Sequence, residues 1–318
     1  MRTKEEIEKI ENEIRDAIYL NGYKKVDTEL IKSLKDLELF EDTLTYNDQI
    51  LDMYSEYLSK LEELPQDISL KYLEVIKDAD VIDNQSLEMV DSFLVAIYSR
   101  LQTEHAIDIL LKNEKLDGET LKDVHDSIIY DATSTNQTKG FRTTDTKVVG
   151  NVVAGKRNVQ YIPVDRDKIE FIADCISSYA NDKNNESLYR LFIKPILLHG
   201  LIAAYQLFDD GNTRTARCVQ HAKIFQMTND YTGFNLALPA LYVSKQYYPY
   251  RADYRNLITK LVLDPSNENW NKWITFNFRR IEENLFYSMD KLEEMYSSQM
   301  EILRNELNRN VRIDKKRG

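Results

Sequence analysis

Ten consecutive residues carry the densest chemistry in this 318-residue chain: Phe208-Asp209-Asp210-Gly211-Asn212-Thr213-Arg214-Thr215-Ala216-Arg217. They read as a short acidic turn with one Gly, leading straight into a helix N-terminus. Free backbone N–H groups and the positive end of the helix dipole make such a place an anion site. Arg214 and Arg217 lie three apart, which is expected to put both side chains on one helical face near it. Asp210 offers a hard oxygen ligand of the kind Mg²⁺ takes, one or two carboxylates beside substrate phosphates. A cation, an anion nest and two guanidinium groups together fit a polyphosphate, because Arg grips phosphate with two donors. The same residues also fit an ordinary loop, with Asp210 or Asn212 as an N-cap and the arginines paired to surface carboxylates.

Few other side chains compete for a chemical role. Asp209 adjoins the turn, but an exposed Asp with a pKa of about 4 is a weak base for an alcohol. His221 lies about two helical turns beyond Arg214, roughly 10 Å along the axis. His199, His105 and His125 read as packed or hydrogen-bonded helix histidines. No His, Asp or Glu shows zinc spacing such as HExxH. Cys175 and Cys218 make neither a disulfide framework nor a multi-thiolate zinc site by themselves.

The elements that must position the turn are mostly helical. Ile7, Ile10, Ile14, Ala17 and Ile18 share one face, as do Leu30, Ile31, Leu34 and Leu37. Further apolar stripes cover roughly 46–62, 68–77 and 86–112, with breaks at Asn47-Asp48, Pro65 and Asp83-Asn84. The first 80 or so residues are therefore expected to form a helical arm. Around Gly155 two β-branched runs, within 147–161, read as a β-hairpin closed by Pro163, the one convincing strand pair in the chain. An apolar helix is expected from Ser187 to about Phe208, restarted or kinked at Pro195. A second begins near Asn212, with Ala216, Val219, Ile224 and Phe225 inward. From Trp270 the chain looks helical almost to its end. There Ile281, Leu285, Met289, Leu292, Tyr296, Met300, Leu303 and Leu307 recur with a mean spacing of about 3.7, nearer a plain helix than a left-handed coiled coil. The fold class expected is all-α with one small hairpin. Its parts are an N-terminal helical arm, a core and a long C-terminal helix with a basic tail.

Composition bounds the function. The formal net charge is −11, with 42% apolar and 30% charged residues, so the chain is neither disordered nor a general nucleic-acid binder. No apolar run approaches the roughly 18 residues that span a bilayer, and the charged start shows no secretory signal, so a cytoplasmic protein without a membrane contact is expected. The tail from Arg304 carries six basic residues against Glu306 and Asp314, as suits the C-terminal end of a helix dipole.

The ten residues resemble the Fic motif, HPFx(D/E)GN(G/K)RxxR, with Phe208, Asp210, Gly211, Asn212, Arg214 and Arg217 in its places. The likeness extends over about 88–280 and so implies the bounds 1–87 for the helical arm, 88–280 for the core and 281–318 for the C-terminal helix and basic tail. The stretch 121–150, with Gly140, Arg142 and Gly150, looks like the family's helix, loop and way into the flap hairpin. The stretch 157–182 looks like the second flap strand and the helix behind it. His199 stands seven positions before the motif, as in many Fic sequences. The Tyr-rich run 242–258 and the Trp-containing run 269–278 resemble the later helices. The resemblance implies a helical core that binds Mg·ATP and transfers AMP to a protein hydroxyl. Asp210 would then hold Mg²⁺, Gly211, Asn212 and Thr213 would line the nucleotide's phosphates, and Arg214 and Arg217 would contact the outer ones. The 147–161 hairpin would be a flap that docks the protein target as an added strand.

At the motif's first position, the site of the family's catalytic His, this chain has Gln206. A neutral amide takes no proton from a hydroxyl, and a positioned base is worth about 10²–10⁴-fold. Leu207 replaces the usual Pro, and Thr213 the usual Gly or Lys. The resemblance therefore implies either an impaired transferase or a nucleotide-sensing or interaction module without turnover, in each case with homo-oligomers possible. Ser59 to Glu63 and Ser297 to Glu301 loosely match the family's inhibitory (S/T)xxxE signature, and equally suit solvated helix faces. The family comparison would place one or two tyrosines of 242–255 against an adenine ring. The residue-level reading is amphipathic packing.

Overall fold

The computed structural model describes residues 3–16, 19–20, 22–64, 72, 93–129, 138–153, 156–182, 192–232 and 244–317. Its helices are α1 (Lys4–Asp16), α2 (Glu29–Lys32), α3 (Glu41–Glu62), α4 (Phe93–Lys112), α5 (Gly118–Ile129), α6 (Ile169–Asn181), α7 (Ile193–Tyr205), α8 (Asn212–Thr232), α9 (Ser244–Tyr247), α10 (Arg251–Leu263) and α11 (Asn267–Arg317). Two antiparallel pairs complete it, β1 (Tyr19–Leu20) with β2 (Tyr23–Lys24), and β3 (Val148–Val153) with β4 (Lys156–Tyr161). The fold is thus all-α with a small hairpin, as the periodicity predicts.

The centre of the molecule is α7. It is apolar on every side, as a helix surrounded by others must be, and each residue from Ile193 to Tyr205 is buried. Around it pack α6, α8, α10 and α11. Pro195 falls in the first turn, where its missing N–H would have no helical partner, so the helix needs no kink. The expected start at Ser187 lies outside the described residues. The end comes at Tyr205, three residues before the expected one, because Gln206 adopts a left-handed conformation (φ 51°, ψ 62°) that cannot continue the helix. Helix α8 then turns Ala216, Val219, Ile224 and Phe225 into the same core.

The hairpin is where the sequence places it. Val148 pairs with Tyr161 and Val153 with Lys156, with irregular register between. It is not the sole strand pair, as the sequence reading had it. Within the presumed helical arm, β1 and β2 flank the Asn21-Gly22 dipeptide, with Gly22 at φ 80°. The chain after β2 then runs beside the exit of β4. Val26 N–H donates to Ile162 O (2.8 Å) and Ile162 N–H to Lys24 O (2.9 Å). Lys25 Nζ pairs with Asp165 at 2.5 Å. The expected face of α1 is only partly realised, since Ile7 is exposed and Ile10 half-buried.

Helix α11 begins with Trp270, Trp273 and Phe278 in the core. Farther along, α3 lies on it, with the Tyr46 ring against Phe278 and Lys60 Nζ 3.2 Å from Glu293. Of its apolar stripe, Ile281, Leu285, Met289 and Leu292 are buried, whereas Tyr296 and Met300 are exposed.

Candidate functional site

The turn between α7 and α8 is built by its own side chains. Asn212, the first residue of α8, reaches back across it. Its Oδ1 accepts from Phe208 N–H (2.9 Å), and its Nδ2 donates to Phe208 O (2.8 Å) and to Gln206 Oε1 (3.2 Å). Gln206 Nε2 donates to Ala203 O (2.5 Å), capping the last turn of α7. Both ends of this amide are therefore engaged in holding the turn. Gly211 has φ 73°, and a Cβ there would lie 2.8 Å from Ile129 Cγ2, so only glycine fits without movement. Thr213, half-buried, stands in the first turn of α8, and Leu207 is fully buried.

Two elements remote in sequence clamp this turn. From α5, the buried His125 ring stacks on Phe208 with centroids 3.9 Å apart. Its Nε2 donates to Asp210 O (3.0 Å), since a carbonyl can only accept, and its Nδ1 faces Asp126 Oδ1 at 2.8 Å. Burial lowers the His125 pKa, opposed by these two oxygens. Asp126 also accepts from Gly140 N–H (2.7 Å), joining the same helix to the loop before the β3–β4 hairpin. From that loop, buried Arg142 donates through Nε to Gln206 O (2.8 Å) and through Nη1 to Thr144 O (2.8 Å), and its Nη2 bonds Val164 O. Its backbone N–H donates to Leu207 O (3.0 Å). Asp126 carries no reading in the sequence, and His125, there a packed or hydrogen-bonded helix histidine, is both. Nothing local signals that it meets a carbonyl 85 residues away.

What the turn presents outward is acidic and cationic together. The Asp210 side chain is 84% exposed, and its Oδ2 lies 3.1 Å from Arg214 Nη2. Arg214 Nη1 donates to Ile128 O (3.2 Å), while its buried Nε has no hydrogen-bond partner. Asp209 is exposed too, and accepts from Thr144 Oγ1 at 3.2 Å. Arg217 departs from the expected shared face. It is 1% exposed and turned into the interior, where its charge helps depress the pKa of His199 and His221. The three-residue spacing rotates the side chain about 300°, enough to take it from the helix's rim to its buried flank.

The other candidates are structural. Each of His199 and His221 is fully buried, and burial holds the pKa of each down at about 3. His199 Nδ1 donates to Gln220 Oε1 (2.5 Å), and its Nε2 accepts from Tyr254 O–H (2.7 Å), which is the neutral tautomer. His221 therefore supplies no ready base at neutral pH, and the reading of His105 is corrected, since it is exposed on α4 rather than packed. Tyr247 and Tyr254 pack around His199, while Tyr248 and Tyr250 are exposed. Glu63 and Glu301 are exposed and so are not paired with buried Arg217 in this structure. Among the described residues no group of three His, Cys, Asp or Glu side chains is placed to hold a metal. No helix among them is long and apolar enough to cross a membrane.

The sequence matches the family model of the Fic/DOC family over residues 115–222. No curated protein matches it. Among solved structures, a Fic family protein from Desulfovibrio desulfuricans G20 superposes with a TM-score of 0.59 at 12% identity, covering 80% of this chain and 75% of that one. A Fic domain containing signaling protein from Bacteroides thetaiotaomicron VPI-5482 superposes with a TM-score of 0.56 at 11% identity, covering 77% and 97%. At such identities the likeness speaks for the fold alone. Residues 115–222, which contain the motif turn and the hairpin, are thus a Fic/DOC-family segment, and the chain that carries them has the Fic fold.

Proposed function

We propose that the chain binds a Mg²⁺-nucleotide at the N-terminus of α8 and descends from protein adenylyltransferases, with its own AMP transfer impaired. One observation carries this reading: an exposed Asp210 carboxylate and an Arg214 whose buried Nε lacks a partner meet at the N-terminus of α8. A single carboxylate suffices for Mg²⁺ when phosphates supply the other ligands, so the donor set suits metal arriving with the nucleotide. Bound there, the Mg·ATP would supply the phosphoryl electrophile. Asp210 and Arg214, now paired with each other, would separate to take metal and phosphate. Gly211 and Asn212 shape the backbone nest. Thr213 borders it. Arg217 would have to leave the interior to reach an outer phosphate, so the primary grip falls to Arg214.

Impairment follows from Gln206. Its amide is tied to Ala203 O and Asn212, and an amide has no useful basicity. The second reading, a nucleotide-sensing or interaction module without any turnover, is favoured by the same bonds. In either case the flap at 147–161 is the place for a protein target to add a strand.

The deciding experiment follows α-labelled ATP with Mg²⁺ in host lysate, comparing wild type with Arg214→Ala. A labelled band that needs Arg214 marks a slow transferase. No band, with wild type but not the variant protected against heat by Mg·ATP, marks nucleotide binding without turnover. Neither label nor protection overturns both nucleotide readings.

A further inference from the structure

A second feature lies away from the motif, on the face made by the start of α3, α10 and the first turns of α11. An open groove of about 1460 Å³ runs there. Small-molecule pockets are commonly about 300–1,000 Å³, so its scale suits a stretch of polypeptide. Aromatic rings of Phe40, Tyr46, Tyr250 and Phe276 line it, with charges of both signs between them.

Arg280 is the unusual member of the lining. Its side chain is only 5% exposed. The guanidinium stacks at 3.7 Å on the Tyr250 ring and lies 5.3 Å from that of Phe276. One arm, Nη2, donates to Glu283 Oε1 at 2.6 Å. The buried Nε and Nη1 have no hydrogen-bond partner. A charged donor out of water without an acceptor is an unfavourable arrangement that an arriving oxyanion relieves. Tyr250, whose ring covers the guanidinium, is a 39%-exposed rim residue, and a ligand that reaches the fork displaces that ring.

We propose that this groove docks an acidic segment of a partner protein, with Arg280 gripping one Asp or Glu carboxylate and the surrounding rings taking an adjacent apolar side chain. The groove's other charges decide the class of ligand. Lys272 is already held by Glu268, and Glu282 accepts from Tyr46 O–H. Asp42 and Asp253 face the same space as Lys260 and Arg279. With as many acidic as basic side chains, the groove offers a polyanion such as nucleic acid no continuous positive track, whereas a single carboxylate needs one cation, and Arg280 is the lining cation whose partnerless donors are buried. The site does not depend on nucleotide.

The test is an array of random-sequence eight-residue peptides probed with the full-length protein without nucleotide. Peptides that bind should share an Asp or Glu beside an aromatic or aliphatic residue. Changing that residue to Asn or Gln in the peptide, or Arg280→Met in the protein, should weaken binding roughly thirtyfold or more, as loss of one partner of a buried ion pair does. Asn256→Glu, an exposed substitution in the groove wall that leaves the core untouched, should weaken it as well. Absence of an acidic consensus, a preference for basic or phosphorylated peptides, or binding indifferent to both protein variants overturns the proposal.

Discussion

On the proposed reading, Gln206 is the residue that limits AMP transfer. It sits at a left-handed φ, unusual for any side chain but glycine, and such strain persists where the surroundings over-determine it. Here Asn212, Ala203 O and Arg142 do so. Histidine tolerates this conformation better than most residues, and either ring nitrogen can replace the amide's donor to Ala203 O. Gln206→His is therefore expected to keep the turn and to supply a base, raising AMP transfer by about 10²–10⁴-fold over wild type. Rates of label incorporation from α-labelled ATP check this. An inert Q206H protein that still binds Mg·ATP would place the defect at Thr213 or Leu207 instead.

At the scale of elements, the position of the turn depends on how closely α7 can lie against α11. Gly200 makes that approach possible. A Cβ there would stand 2.9 Å from Trp273 Nε1 and 3.1 Å from Trp270 Cζ3. Trp273 Nε1 donates to Ile196 O (2.9 Å) on the same helix, so the ring cannot retreat without losing that bond. Alanine gains about 1 kcal/mol in helix propensity over glycine, while overpacking a tight core costs about 1–3 kcal/mol, to which the lost bond adds. The second effect wins. Gly200→Ala should lower stability by about 1–2 kcal/mol, read from the urea midpoint. An unchanged or raised midpoint would mean the two helices separate freely.

The whole molecule carries a pH dependence set by its buried histidines. In the folded protein His199 and His221 have pKa values near 3, against an ordinary 6.5, because burial and the Arg217 charge disfavour the imidazolium. Below pH 6.5 the unfolded chain takes up protons that the folded chain refuses. Stability from these two groups is therefore fully present above pH 6.5 and falls as the pH drops from there towards 3. Each contributes a slope of up to about 1.4 kcal/mol per pH unit in that window. Denaturation by urea at pH 7, 6 and 5 should show the midpoint falling, and His221→Leu should flatten the fall. A midpoint independent of pH between 7 and 5 would show that these side chains are not held neutral.

By itself, the sequence determined the helical class, the hairpin at 147–161, the start of α8 at Asn212 and the family of residues 115–222. All of these rest on patterns that are local: a 3.6-residue stripe, two β-branched runs, a Gly-Asn turn. The Asn21-Gly22 pair was an equally local signal for β1 and β2, outweighed by the isoleucine spacing around it. Tertiary structure alone decided the rest. Spacing could show that Arg214 and Arg217 neighbour each other on α8, but not that Arg217 turns towards His199 and His221. It gave no sign that His125 and Asp126 come from α5 to brace Asp210 and Gly140, or that Lys24–Val26 pairs with Ile162. Burial and long-range hydrogen bonds depend on which helices surround α7, and no window along one chain contains that information.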